Sequence, residues 1–152
     1  MGEKRYPYFG GNIRDKPVVR LRSMDSGQDA IFVNVHNPAN VHGNAARFRG
    51  EAVRRELATM RTLATRYDVP GFLTGDFNER SKAFCRLTAG GTLTSPAGGS
   101  HAGQCTPPRY NGIDWIFGTQ PNWAGYSVVK TPKQTATSDH PLVLTRVAHG
   151  GA

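Results

Sequence analysis

Acidic residues and cysteine are both scarce in this sequence. Its 11 Asp and Glu stand against 19 Lys and Arg, giving a formal net charge of +8 and a pI near 10.0. A surface of that sign attracts polyanions: nucleic acid, anionic membrane surfaces or phosphorylated substrates. The 2 cysteines, Cys85 and Cys105, are too few for a structural zinc site on their own, and neither lies in a CxxC or CxxH pattern. One disulfide or two free thiols remain. No run approaches the roughly 20 apolar residues of a membrane span. The polar start from Met1 to Tyr8 has no apolar core of the secretory kind. Internal repeats and heptads are also missing. A chain of 152 residues is then expected to form one soluble domain around one core, with 18 Gly and 10 Pro predicting long irregular connections.

Along the chain, the Pro, Gly and Asn content through Lys16 reads as loop. Residues 18–24 alternate Val19, Leu21 and Ser23 against Arg20 and Arg22. Residues 31–36 alternate Ile31, Val33 and Val35 against Phe32, Asn34 and His36, and Asp25-Ser26-Gly27 supplies a turn between them. That pattern predicts a β-hairpin. Over residues 45–67, Val53, Leu57, Met60, Ala64 and Tyr67 recur at threes and fours, the mark of an amphipathic helix whose first turns Gly50 weakens. Arg47, Arg54 and Arg61 repeat on another face and read as a solvated surface. A short apolar strand at 71–74 runs into Gly75-Asp76-Phe77-Asn78. Residues 82–88 predict a short helix, 89–111 a Gly/Pro/Ser-rich loop, and 113–117, 126–130 and 142–147 three more strands.

After Val69 the remaining acids are Asp76, Glu79, Asp114 and Asp139, and three of them interrupt or abut strand-like apolar runs. A carboxylate beside a sheet loses hydration and persists when paired, hydrogen-bonded or bound to a metal. Asp139-His140 precedes one strand and Asp114 begins another, so both lie at sheet edges where loops gather and sites form. An Asp that accepts a hydrogen bond from an imidazole fixes its tautomer and favours the charged ring, which suits a His facing a phosphate. Asp76 and Asn78 offer a base beside a neutral orienting amide, and His36 ends its strand in a similar way. Taken singly, each is as well explained by turn chemistry or a satisfied strand-end histidine.

Their order and spacing are more specific. Val33-Asn34-Val35-His36, a helix, Leu73-Thr74-Gly75-Asp76-Phe77-Asn78, Ile113-Asp114-Trp115-Ile116 and Ser138-Asp139-His140-Pro141 together resemble the endonuclease/exonuclease/phosphatase superfamily over residues 18–147. The resemblance implies an α+β chain, half of a four-layer α/β sandwich with a mixed, mainly antiparallel sheet. Residues 1–152 would form a single incomplete domain, its C-terminal half. It further implies that Asp76 activates or positions the attacking water and, with Asp139, helps hold a divalent metal, Mg²⁺ first and Mn²⁺ or Ca²⁺ otherwise. Asn78 would bind a phosphoryl oxygen, His140 oriented by Asp114 would stabilise charge on the scissile phosphate, and His36 would contact the phosphate or assist the leaving group.

The superfamily's N-terminal half normally carries an asparagine and a glutamate that is the principal metal ligand, and no segment here matches it. Glu3 and Asp15 are the acids before Val18, in loop-like sequence. An uncovered sheet face or edge invites association, so the expected partners are the substrate and the other half, as a separate chain or a second copy. The resemblance also implies a Cys85–Cys105 bridge, since the two cysteines flank the loop between the Asp76 and Asp114 motifs. Such a bridge implies an oxidising compartment and export. The basic charge leans toward a nuclease acting on DNA or RNA. The alternatives are a phosphatase or lipid phosphodiesterase of the same fold, or a catalytically silent fragment that binds polyanions.

Overall fold

The computed structural model describes residues 2–8, 12–119, 121–130 and 138–148. In chain order these form β1 (Gly2–Pro7), β2 (Ile13–Arg22), β3 (Asp29–His36), α1 (Ala46–Arg66), β4 (Gly71–Asp76), α2 (Ser81–Thr88), β5 (Ser100–Ala102), β6 (Gln104–Thr106), β7 (Asp114–Thr119), β8 (Trp123–Val129) and β9 (Leu142–Val147). The main sheet runs β1-β2-β3-β4-β7. Every pair in it is antiparallel except β3 with β4, which α1 joins as a crossover. This is the mixed, mainly antiparallel α+β arrangement expected.

One expectation is corrected at the N-terminus. The stretch through Lys16 is not loop: β1 pairs with β2 from Gly2↔Val18 to Pro7↔Ile13. Proline and glycine argued against strand, but β1 is an edge, where Pro7 interrupts little. Pro17 lies in the part of β2 that β3, pairing from Val18 onward, does not reach. Residues 9–11 lie outside the described residues.

The pleat sorts the sheet into two apolar faces. On one, Val18, Ile31, Val33, Val35, Leu73, Trp115 and Phe117 are buried beneath α1 and α2, which contribute Val53, Met60, Leu63, Phe84 and Leu87. Gly71 keeps α1 close, since a Cβ there would stand 3.1 Å from the Met60 methyl. The loop over residues 89–111 is pinned rather than free. Cys85 on α2 is bonded to Cys105 on β6, with Cα atoms 5.6 Å apart. Thr94 also bridges to Gly118 of β7.

The opposite face carries Val19, Leu21, Phe32, Phe72 and Ile116 and, among the described residues, has no helix over it. Phe32 and Phe72 stack at 5.1 Å, and Trp123 of β8 meets Phe72 edge-on at 5.9 Å. The two-stranded β8–β9 sheet therefore overlies part of this face, leaving a cleft of about 1020 Å³ lined by Leu21, Phe32, Phe72, Ile116, Val143 and Val147 among others. Val19 and Leu21 remain 43% and 56% exposed.

Candidate active site

Strand register assembles the site. His36 is the residue paired with Asp76 across the parallel β3–β4 ladder, and Asp76 is paired with Asp114 across β4–β7. Three side chains from distant parts of the sequence therefore stand in one row at one end of the sheet. Gly75 permits the close β3–β4 approach just before Asp76. Its φ is +137°, and a Cβ would lie 1.8 Å from the Val35 carbonyl oxygen, so no other residue fits there.

After Asp76 the chain turns sharply. Asn78 takes φ +50°, a left-handed conformation that Asn tolerates better than most residues. Its backbone N–H donates to Asp76 Oδ1 at 2.7 Å, and its Nδ2 donates to Asp76 Oδ2 at 3.0 Å and to the Asn37 carbonyl at 2.8 Å. Both amide hydrogens are thus engaged in fixing the Asp76 carboxylate and tying the turn to the end of β3. Burial pushes the Asp76 pKa up; the hydrogen bond from the Asn78 backbone and the charge of His36 work against it.

His140, two residues before β9, closes the row from above. Its Nδ1 lies 2.9 Å from both Asp114 carboxylate oxygens, and its Nε2 is 4.0 Å from Asp76 Oδ2. The Asp114 hydrogen bond raises the His140 pKa above its ordinary value, which favours the charged ring, and the Nε2 side points at Asp76. His36 Nε2 stands 3.6 Å from the same Asp76 oxygen. Asp139 is more remote: its side chain is 97% exposed, with Oδ1 4.0 Å from His140 Nε2. The structure brings His36, Asp76, Asn78, Asp114 and His140 together and leaves Asp139 at the rim.

Ligand atoms of Asp76, Asp114 and His140 lie within 4.8 Å of one another, near enough to share an ion. The set offers two carboxylates, Asp76 and Asp114, whose oxygens suit a hard divalent cation in kind, whereas the Asp114 hydrogen bond favours the charged form of His140, and ligation needs the neutral ring. Asp139 lies outside the set.

Glu79, near the Asp76 turn, is not part of the row. It is buried, ion-paired with Arg49 at 3.3 Å and Arg86 at 3.0 Å, and its carbonyl accepts the Trp115 indole N–H at 3.0 Å. Sequence reasoning passed over a second buried acid, Glu56, and its neighbour Asn37, which lie directly behind the row. Glu56 falls on the same helical stripe as Val53 and Met60, and that position was the available signal.

No family model and no curated protein matches the sequence. Solved structures do match its fold. A mannosyl-6-phosphatase of Bacteroides thetaiotaomicron superposes with a TM-score of 0.68 at 19% identity, covering 90% of this chain and 58% of its own. The human Nocturnin catalytic domain, solved with a bound sulfate anion, gives 0.66 at 18% identity, with 97% of this chain and 59% of that one covered. An endonuclease/exonuclease/phosphatase protein of Beutenbergia cavernae gives 0.67 at 19% identity, covering 100% of this chain and 45% of its own. The fold is therefore that of the endonuclease/exonuclease/phosphatase proteins, and the chain spans between 45% and 59% of the length of these structures.

Proposed function

We propose that this chain supplies the C-terminal half of a divalent-metal-dependent phosphodiester hydrolase, a nuclease acting on DNA or RNA. One observation carries the reading: His36, Asp76 and Asp114 stand in register at one sheet end, with His140 hydrogen-bonded to the last of them. That row sets a carboxylate with raised proton affinity between two imidazoles, the arrangement needed to draw a proton from water while a cation faces the phosphate.

In this reading Asp76 orients and deprotonates the attacking water. His140 donates from Nε2 to the phosphoryl group, with Asp114 holding its tautomer, and His36 meets the phosphate from the other side. Asn78 aligns Asp76 and contacts a phosphoryl oxygen after giving up one of its two present acceptors. Asp139 and Asp76 would hold the metal, Mg²⁺ in preference to Mn²⁺ or Ca²⁺, which when bound supplies charge neutralisation for in-line displacement. Their number falls short of a hard cation's usual six ligands, so water, substrate and groups outside this chain complete the shell.

The same shortfall, the open sheet face and the partial coverage of matching structures support a partner: the other half of the sandwich, closing over Phe32, Phe72 and Leu21. The +8 charge favours a polymeric polyanion. The match to a mannosyl-6-phosphatase favours a second reading, a phosphatase on the same fold. The Cys85–Cys105 bridge supports an oxidising, extracytoplasmic setting.

Plasmid nicking with Mg²⁺, Mn²⁺ or EDTA, by this chain alone and joined to an N-terminal half of the fold, tests the proposal. The joined form is expected to nick only with metal and to lose ~10² to 10⁴ in rate on Asp76→Ala or His140→Ala. The chain alone is expected to bind DNA in a salt-sensitive way and to nick far more slowly. Full activity of the chain alone would overturn the need for a second half. Hydrolysis of sugar phosphates but not DNA would favour the phosphatase.

A further inference from the structure

The buried stripe of α1 changes character along its length. Toward the C-terminal end it is apolar, Met60 and Leu63, whereas toward the N-terminal end it carries Arg49 and Glu56. Arg49 is paired: its Nη1 donates to the Pro38 carbonyl at 2.8 Å and to Asn40 Oδ1 at 2.9 Å, and its Nε, which makes no hydrogen bond, faces the Glu79 carboxylate at 3.3 Å. Glu56 is not. It is 0% exposed, and neither carboxylate oxygen has a hydrogen-bond partner among the described residues.

The polar neighbour that reaches toward Glu56 is Asn37. Its side chain is near enough to lower the Glu56 pKa but short of hydrogen-bond geometry, and its buried Nδ2 is likewise unpartnered. Asn37 is also the joint behind the row of site residues. Its N–H donates to the Asp76 carbonyl at 2.8 Å, and its carbonyl accepts the Asn78 amide. Lys16 of β2, whose charge also acts on Glu56, donates from Nζ to the carbonyl of His36 at 3.1 Å.

We propose that Glu56 is a positioning residue for this site: a buried carboxyl that packs the Asn37 amide against α1 and so fixes the strand end on which His36, Asn78 and Asp76 are aligned. The proposal rests on the reading of that row as catalytic, although its first test does not. An unpaired charge at this depth is disfavoured, and burial, reinforced by Glu79, pushes the Glu56 pKa up to about 8. On ionisation the carboxylate draws on the two donors within its reach, the Asn37 amide and the Lys16 ammonium, and each belongs to the support of residues 36 and 37. The other groups around it do not replace them. Tyr6 of β1 gives its hydroxyl hydrogen to Thr59, Arg49 is committed to residues 38 and 40, and Arg14 acts on Lys16.

Nitrogen-resolved NMR of this chain from about pH 6 to about pH 10 tests the inference. The Asn37 amide and the Asn78 side-chain amide are expected to shift together with a midpoint at about 8, the value for Glu56. Glu56→Gln, the neutral isostere, should hold both at their low-pH positions throughout while leaving the titration of His140 in place. Glu56→Leu should displace the Asn78 signals at every pH. Wild-type signals that do not move, or that move equally in Glu56→Gln, overturn the proposal. In the joined hydrolase, kcat of the wild type is expected to fall about tenfold per pH unit above the midpoint with KM unchanged, and Glu56→Gln should lose that fall. A positive NMR result without hydrolysis would leave the positioning role standing and reject the catalytic reading.

Discussion

His140 owes its charge to one neighbour. The Asp114 carboxylate holds the ring pKa up, so Asp114→Asn is expected to bring it down, which the ring proton shifts of His140 followed against pH would register. The linkage has a definite sign. A histidine with a raised folded pKa stabilises the fold fully below its unfolded value, and that contribution fades as pH rises through the folded value. Asp114→Asn should therefore flatten the pH dependence of the urea midpoint above the ordinary histidine value. An unchanged His140 titration would mean that Asp114 does not set the proton. The five residues brought together were legible because they are polar groups set into apolar runs: His36 after Val33-Asn34-Val35, Asp76 and Asn78 after Phe72-Leu73-Thr74, Asp114 before Trp115, and His140 before Pro141-Leu142. Their roles are still proposals. Glu56 escaped notice because it sits among Arg54, Arg55 and Glu51, where one more charge on a helix is unremarkable and only the packing tells which one faces inward.

At the level of elements, helices were the easier part. The three-and-four spacing of Val53, Leu57, Met60, Ala64 and Tyr67 placed α1 within a residue or so of its ends, whereas β1 was missed because a short edge strand is specified by its pairing with β2 and not by its own pattern. The small β5–β6 hairpin within residues 89–111 depends likewise on a tertiary constraint, the Cys85–Cys105 bond. Closing a loop of that size removes unfolded-state freedom. Cys85→Ser with Cys105→Ser is expected to cost about 3 kcal/mol in urea-unfolding free energy. A loss near zero would show that Phe84 packing and the Thr94–Gly118 bridge already hold the loop.

The whole molecule has more apolar sheet than helices to cover it. The superfamily resemblance implied an uncovered sheet face or edge, but which face α1 and α2 would take was not legible, since that choice is made by the crossover joining β3 to β4. Leu21 is 56% exposed, so Leu21→Lys is expected to leave the stability of this chain within ~0.5 kcal/mol while weakening docking of the proposed other half. Unfolding curves and sedimentation of the two halves mixed as separate chains would measure both effects. Equal association of wild type and variant would place the partner elsewhere.

The row of His36, Asp76 and Asp114 also restricts how the sequence can change in length. Because neighbouring residues on a strand face opposite ways, losing or gaining one residue within β3, β4 or β7 would take its member out of the row and turn the adjoining valines, leucines or phenylalanines from one face of the sheet to the other. Fold and chemistry would fail in the same step. Insertions and deletions are therefore admissible in the turns and loops between strands but not inside these three, and over long divergence the spacing between the motifs can drift while each motif keeps its internal count.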